Sequence, residues 1–139
     1  MKILELLTPK RIIGNVGERA AARYLRKRGY KILERNYVYG GHEIDIIARR
    51  GNITAFIEVK TRTIGHENPK ESRPAAAVTK EKMRRVIDTA HGYMFENGCP
   101  TRKRLDIIEV YLSEQKRVME IKHLEGAYTK DTAGSGKRS

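Results

Sequence analysis

Glu43-Ile44-Asp45-Ile46-Ile47-Ala48 and Ile53-Thr54-Ala55-Phe56-Ile57-Glu58-Val59-Lys60, joined around Gly51-Asn52, decide the fold. Both runs alternate and are rich in β-branched residues. A Gly-Asn pair between two such runs predicts a tight two-residue hairpin. Pairing Arg50 with Ile53 sets the register: Ile44 then faces Val59, Ile46 faces Ile57 and Ala48 faces Ala55 on one apolar side. The same register sets Asp45 opposite Glu58, and Glu43 opposite Lys60, on the other side. Directly opposed Cβ atoms stand roughly 4.5–5.5 Å apart. Glu43 and Lys60 at that separation make an ordinary ion pair, whereas two carboxylates repel and add nothing to a purely structural sheet. A bound cation reverses the sign of that interaction.

Outward from the hairpin, Val16, Ala20, Ala21, Tyr24 and Leu25 form an apolar stripe at helical spacing, with Arg19, Arg23, Arg26 and Lys27 largely off it. The stripe predicts a helix from about Val16 to Arg28, with Asn15 as N-cap and Gly29 as its stop. Tyr30 to Val38 reads as a strand closed by Gly40-Gly41. Thr61 to Val78, with Gly65, Pro69 and Pro74, reads as a loop. Thr79 then caps a second helix ending near Asn97, with Met83, Val86, Ile87, Ala90 and Met94 as its buried stripe. Leu105 to Leu112 and Val118 to Leu124 complete the strands. Residues 1–13 are expected to be a flexible lead-in, 14–128 the domain and 129–139 a disordered tail. The order predicts an α/β sandwich with a mixed sheet and a right-handed crossover through the second helix.

Among 139 residues, 29 Lys and Arg face 17 Asp and Glu, a formal net charge of +12. Such an excess draws polyanions, nucleic acid first. No apolar run approaches the roughly 20 residues that a membrane helix needs. The start, Met1 to Leu7, is too short and is interrupted by Glu5, so it does not read as a secretory signal. Cys99 is the only cysteine, which fits a reducing compartment. A cytoplasmic location is the expectation.

The chemistry of the opposed pair is specific. Magnesium takes hard oxygen ligands and keeps several waters, so two carboxylates and a carbonyl suffice. Lys60, two positions after Glu58 on a strand, projects from the same face and can steer the attacking water or stabilise charge on a phosphate. Arg62, Arg73, Lys82, Arg84 and Arg85 are the candidates for gripping phosphates, although charge runs on helices are more often solvated faces. Tyr37 and Tyr39 can stack on bases or simply pack within the strand. His66, His91 and His123 have no ligand spacing.

These residues resemble the PD-(D/E)XK nuclease superfamily, in which an Asp on one strand and a Glu-x-Lys on the next bind metal. More closely, the chain resembles the YraN-like family of small bacterial proteins, itself similar to archaeal Holliday-junction resolvases. The matching stretches are Gly14-Asn15-Val16-Gly17-Glu18-Arg19-Ala20-Ala21, Glu43 to Ala48, and Ile57-Glu58-Val59-Lys60-Thr61-Arg62. They continue through Ala77 to Lys82, Arg104-Leu105-Asp106-Ile107-Ile108 and His123-Leu124-Glu125-Gly126-Ala127-Tyr128, so the likeness spans about residues 14–128. It implies a restriction-endonuclease-like sandwich with a helix-strand-strand-strand-helix-strand core. It also implies Mg²⁺ or Mn²⁺ held by Asp45 and Glu58, a catalytic Lys60, and an assisting Glu18, which as plain sequence reads equally as a helix cap. His42, Leu105 and Gly126 stand where the family usually has Gly, Phe and Asn, and none of the three removes a ligand.

The expected function is a metal-dependent endonuclease acting on structured DNA, with a homodimer expected by analogy with enzymes that cut two strands symmetrically. The rivals are a non-catalytic nucleic-acid-binding module and an RNA-associated basic protein.

Overall fold

The computed structural model describes residues 9–65, 80–98 and 101–127. Helix α1 (Pro9–Lys27) is followed by strands β1 (Lys31–Tyr39), β2 (His42–Arg50) and β3 (Ile53–Thr63), helix α2 (Lys80–Asn97), and strands β4 (Arg102–Leu112) and β5 (Val118–Leu124). The strands form one mixed sheet in the order β1-β2-β3-β4-β5. Neighbours are antiparallel except β3 and β4, which run parallel from Ile53↔Arg102 to Thr63↔Leu112. A parallel pair needs a crossover, and α2 lies within the segment that makes it. The loop expected to end at Val78 starts later than Thr61, because β3 runs on to Thr63; residues 66–79, Cys99, and the expected tail from Thr129 lie outside the described residues.

The Gly51-Asn52 turn forms as its composition predicts. Gly51 has φ 58 and Asn52 is not left-handed, the pattern of a two-residue turn with glycine at the first central position. Arg50↔Ile53, Ala48↔Ala55 and Ile46↔Ile57 pair in the expected register.

Each sheet face carries one helix. On one side Ala21, Ala22 and Leu25 of α1 pack on Ile46, Ala48, Ala55, Ile57, Ile108, Val110 and Leu112. On the other, Met83, Val86, Ile87, Ala90 and Tyr93 of α2 cover Ile44, Ile47, Phe56, Leu105 and Ile107. Fully burying a Leu, Ile or Phe contributes roughly 1.5–3 kcal/mol, so these two layers supply most of the driving force for folding. Of the expected α2 stripe, Met94 is only partly buried and Tyr93 takes the inner place.

Helix α1 begins at Pro9, well before the expected start at Val16, so residues 9–13 are helical and Asn15 lies inside the helix. Proline is favoured in a first helical turn, and the two glycines that mask the helical pattern, Gly14 and Gly17, are tolerated there. Gly17 has a packing reason. A Cβ on it would fall 1.8 Å from Thr61 Oγ1 and 2.9 Å from Thr61 Cβ, so only glycine lets α1 lie this close to β3. Gly17→Ala is expected to cost about 1–3 kcal/mol through overpacking. Urea unfolding checks this, and adding Thr61→Ala should recover part of the loss.

Candidate active site

Beyond Ile46↔Ile57 the regular β2–β3 ladder stops, one pair short of Asp45 and Glu58. Where a backbone carbonyl would accept, the Val59 N–H donates instead to Asp45 Oδ2, at 2.8 Å. The alternation of β2 reverses at this point. Ile46 and Ala48 face α1, whereas Ile44 joins Ile47 on the α2 side, so the expected pairing of Ile44 with Val59 on the α1 face is not what forms. On the other flank Asn36 of β1, between the pairs Arg35↔Ile46 and Tyr37↔Ile44, has φ 55. Asn tolerates this left-handed conformation better than most residues. The sheet therefore forks beside Asp45, and a side-chain carboxylate replaces part of its hydrogen bonding.

The fork gathers acids from three elements. Burial pushes the Asp45 carboxyl up, the Val59 hydrogen bond opposes this, and the charges of Glu18, Glu58 and Glu43 add to it, bringing the pKa to about 7. Among the described residues Asp45 has no ion-pair partner. Glu58 lies in the opposite field. Burial pushes it up too, but the hydrogen bond from Lys82 and the charges of Lys60 and Lys82 prevail and hold it below the usual carboxylate range. Lys82 Nζ sits 2.6 Å, and Lys60 Nζ 3.1 Å, from the same oxygen, Glu58 Oε2. The other oxygen, Oε1, is buried with no hydrogen-bond partner. An orphaned carboxylate oxygen, together with a carboxyl raised by burial first and by acidic neighbours second, is a donor set that suits a hard divalent cation. Among the described residues no group of three or more His, Cys, Asp or Glu is arranged to hold a metal. Waters and substrate oxygens would have to complete the shell, as magnesium allows.

Glu18 projects from the middle of α1, since the helix starts at Pro9, and so has no role as an N-terminal cap. Its Oε1 accepts from Asn36 Nδ2 at 3.3 Å and meets Arg35 Nη2 at 3.5 Å, while its charge acts on Asp45. Glu58 is thus in contact with Lys60 and Lys82, while Asp45 feels the charges of Glu18 and Glu58.

The five basic candidates divide. Lys82 is at the site, directed at Glu58. Arg62 lies against buried Glu109 on β4, at 3.9 Å, with only 11% of its side chain exposed, a poor position for reaching outward to phosphate. Arg84 is exposed on α2, and Arg85 pairs with Glu81 across one helical turn at 2.8 Å. Arg73 lies outside the described residues. Tyr37 meets Tyr93 edge-on at 5.1 Å, whereas Tyr39 lies against Gly92 but stays exposed.

The surroundings of two further sets of residues are set by the fold alone. His42 has a buried Nε2 without a hydrogen-bond partner, and burial followed by the charge of Lys82 lowers its pKa. The second is a network around Asp106, which is 0% exposed. Its Oδ1 accepts from Arg104 Nε and the Gly126 N–H, both at 2.9 Å; its Oδ2 accepts from Arg104 Nη2 at 2.8 Å and lies 2.8 Å from His123 Nε2. Arg104 also donates to the Tyr30 hydroxyl. Burial pushes Asp106 up, but His123, Arg104 and Gly126 outweigh it and hold it low. Arg104 and Asp106 stand two apart in sequence, which flags a same-face pair, but nothing local ties them to Tyr30 or His123.

Comparison with known proteins places this chain in a family. A model described as "Uncharacterised protein family UPF0102" matches residues 17–110, which include every residue of the fork. A UPF0102 protein of Caldanaerobacter subterraneus subsp. tengcongensis is 40% identical over 121 residues, 86% of this chain and 96% of that protein. One from Chlorobaculum parvum is 44% identical over 122 residues, 84% and 91% of the two chains. One from Geobacter metallireducens is 39% identical over 117 residues, again 84% and 91%.

Proposed function

The chain belongs to the UPF0102 family, the YraN-like family that its motifs resemble, and from the forked site we propose that it is a divalent-metal-dependent endonuclease-like protein hydrolysing phosphodiesters of structured DNA, branched DNA included. The observation that carries this reading is the Asp45 carboxyl at the break in the β2–β3 ladder, raised by burial and then by the charges of Glu18, Glu58 and Glu43 to about 7, with the unsatisfied Oε1 of Glu58 on the next strand. A protein gains no stability from that grouping, and a cation makes it favourable.

Asp45 and the unsatisfied Oε1 of Glu58 would hold Mg²⁺ or Mn²⁺. The bound ion would polarise the scissile phosphate and make its water acidic enough to attack at neutral pH. Lys60, anchored on Glu58 Oε2, keeps an ammonium beside the place where phosphate charge develops. Lys82 holds the same oxygen and so fixes which face of the Glu58 carboxylate remains open. Glu18, itself held by Arg35 and Asn36, keeps the fork acidic from the α1 side.

The net charge of +12 supports a nucleic-acid partner, and among the described residues no helix is long and apolar enough to cross a membrane. A cytoplasmic setting and a homodimer presenting two sites belong to the same proposal. The test is cleavage of branched, duplex and single-stranded DNA, and of RNA, with Mg²⁺ or Mn²⁺. Wild type should cut branched DNA in a metal-dependent way, and Asp45→Ala should fall to background. Salt-sensitive binding without any cutting would leave a binding module instead, and an EDTA-indifferent preference for RNA would leave an RNA-associated protein.

A further inference from the structure

Helix α1 turns a second, strongly basic face to solvent. Arg19, Arg23, Arg26 and Lys27 recur one or two turns apart, and all four are exposed. With Ala22 and Arg35 of β1 they line an open hollow of about 400 Å³. Among the described residues none of the four makes an ion pair. The helix dipole accounts for Arg26 and Lys27, which lie in the last turn, but not for Arg19 and Arg23 further back. Like charges one turn apart destabilise a helix, so four cations on the solvated face add no stability of their own.

We propose that this hollow is a seat for the sugar-phosphate backbone of a DNA duplex arm flanking the cut, a contact that rests on the nucleic-acid reading above. Guanidinium forks match phosphate oxygens in pairs. Eight residues of helix rise about 12 Å, close to the length of three to four nucleotides of one strand. The hollow also joins the fork. Arg35 lines the first and meets Glu18 of the second at 3.5 Å, so a backbone leaving the cleavage site passes onto the stripe. A lipid surface fits poorly. The apolar face of α1 is already buried through Ala21, Ala22 and Leu25, and the exposed large hydrophobics, such as Phe95, Val38 and Met119, lie on other elements. A helix lying on a membrane needs apolar residues at that boundary.

The experiment measures binding of a DNA duplex across a salt series in EDTA, where nothing is cut. It compares wild type, Arg23→Ala/Arg26→Ala/Lys27→Ala, and a control with equal charge loss, Arg102→Ala/Lys103→Ala/Arg117→Ala, whose cations are exposed on β4 and its following turn. Thermal melting establishes that all three are folded. The α1 variant should lower the slope of log K against log salt by about 2–3 and weaken binding on the order of a hundredfold at physiological salt, with a much smaller change in the control. Equal losses in both variants, or none in the α1 variant, overturn the hollow as a site while leaving DNA binding intact. Absence of binding by wild type overturns the nucleic-acid reading and the hollow with it.

Discussion

Asp45→Asn should make the metal-free protein more stable than wild type near neutral and alkaline pH, by about 2–3 kcal/mol once partial solvent contact is discounted. The sign follows from proton linkage. The Asp45 pKa is about 7 in the fold against 3.8 for the free side chain, so between those values the native state holds a proton that the unfolded chain has lost. Stability contributed by that protonated, buried carboxyl is present in full below pH 3.8 and is lost as pH rises through 7. Asn is neutral throughout and keeps an oxygen to accept from the Val59 N–H. The advantage of Asp45→Asn should therefore be absent in acid and grow until about pH 7–8, as read by denaturant unfolding in EDTA. The same variant should lose metal binding and cleavage. A substitution that stabilises the fold while removing activity is what a residue strained for function produces.

Asp106→Asn should do the reverse, with a loss of about 3–5 kcal/mol at neutral pH. Asp106 is fully buried and Asp45 largely so, and each is one atom from its amide, but their surroundings differ in sign. Asp106 accepts from Arg104, lies beside His123 and takes the Gly126 N–H, and its pKa is held low. An amide NH₂ at that position would face the donors of Arg104 or the ring of His123 and leave the Arg104 charge without its partner. Because the folded pKa is depressed, this contribution is present above the unfolded pKa of 3.8 and is lost only as pH falls through the lower folded value. Thermal melting from acid to alkaline pH should show the deficit across neutral pH and a convergence with wild type in strong acid. Since Asp106 ties β4 to the β1 start and to the turn after β5, its loss should also loosen Tyr30 and His123, visible as faster amide exchange at Gly126.

The hairpin was legible in the sequence because its information is local. Alternating β-branched residues and a Gly-Asn turn determine pairing from Arg50↔Ile53 to Ile46↔Ile57, and the second helix and last strand follow from equally local periodicities. Local patterning fails where a side chain replaces the backbone. Period-two alternation carries Ile44 to the same face as Ile46, and nothing in the string indicates that Asp45 will take the Val59 N–H and reverse the face. The start of α1 was hidden for a related reason. Gly17 lowers helix propensity locally, and its purpose, clearance for Thr61, lies on another element. Lys82 reads from the sequence as a phosphate contact or a solvated cation, and its pairing with Glu58 is made only by the fold. The Asp106 network unites residues from position 30 to position 126, a juxtaposition that only the folded chain makes. Asp45 and Glu58 could be paired beforehand because a two-residue hairpin ties distant positions by simple counting.

One comparison bears most directly on the forked site: unfolding free energies of wild type and Asp45→Asn at about pH 8, each in EDTA and in saturating Mn²⁺. Asp45→Asn should be the more stable in EDTA, and Mn²⁺ should raise wild type by about 2.7 kcal/mol or more at a hundredfold excess over its dissociation constant, with no gain for the variant. A wild type that is already the more stable without metal and indifferent to Mn²⁺ would show that those acids gather for some reason other than holding a cation.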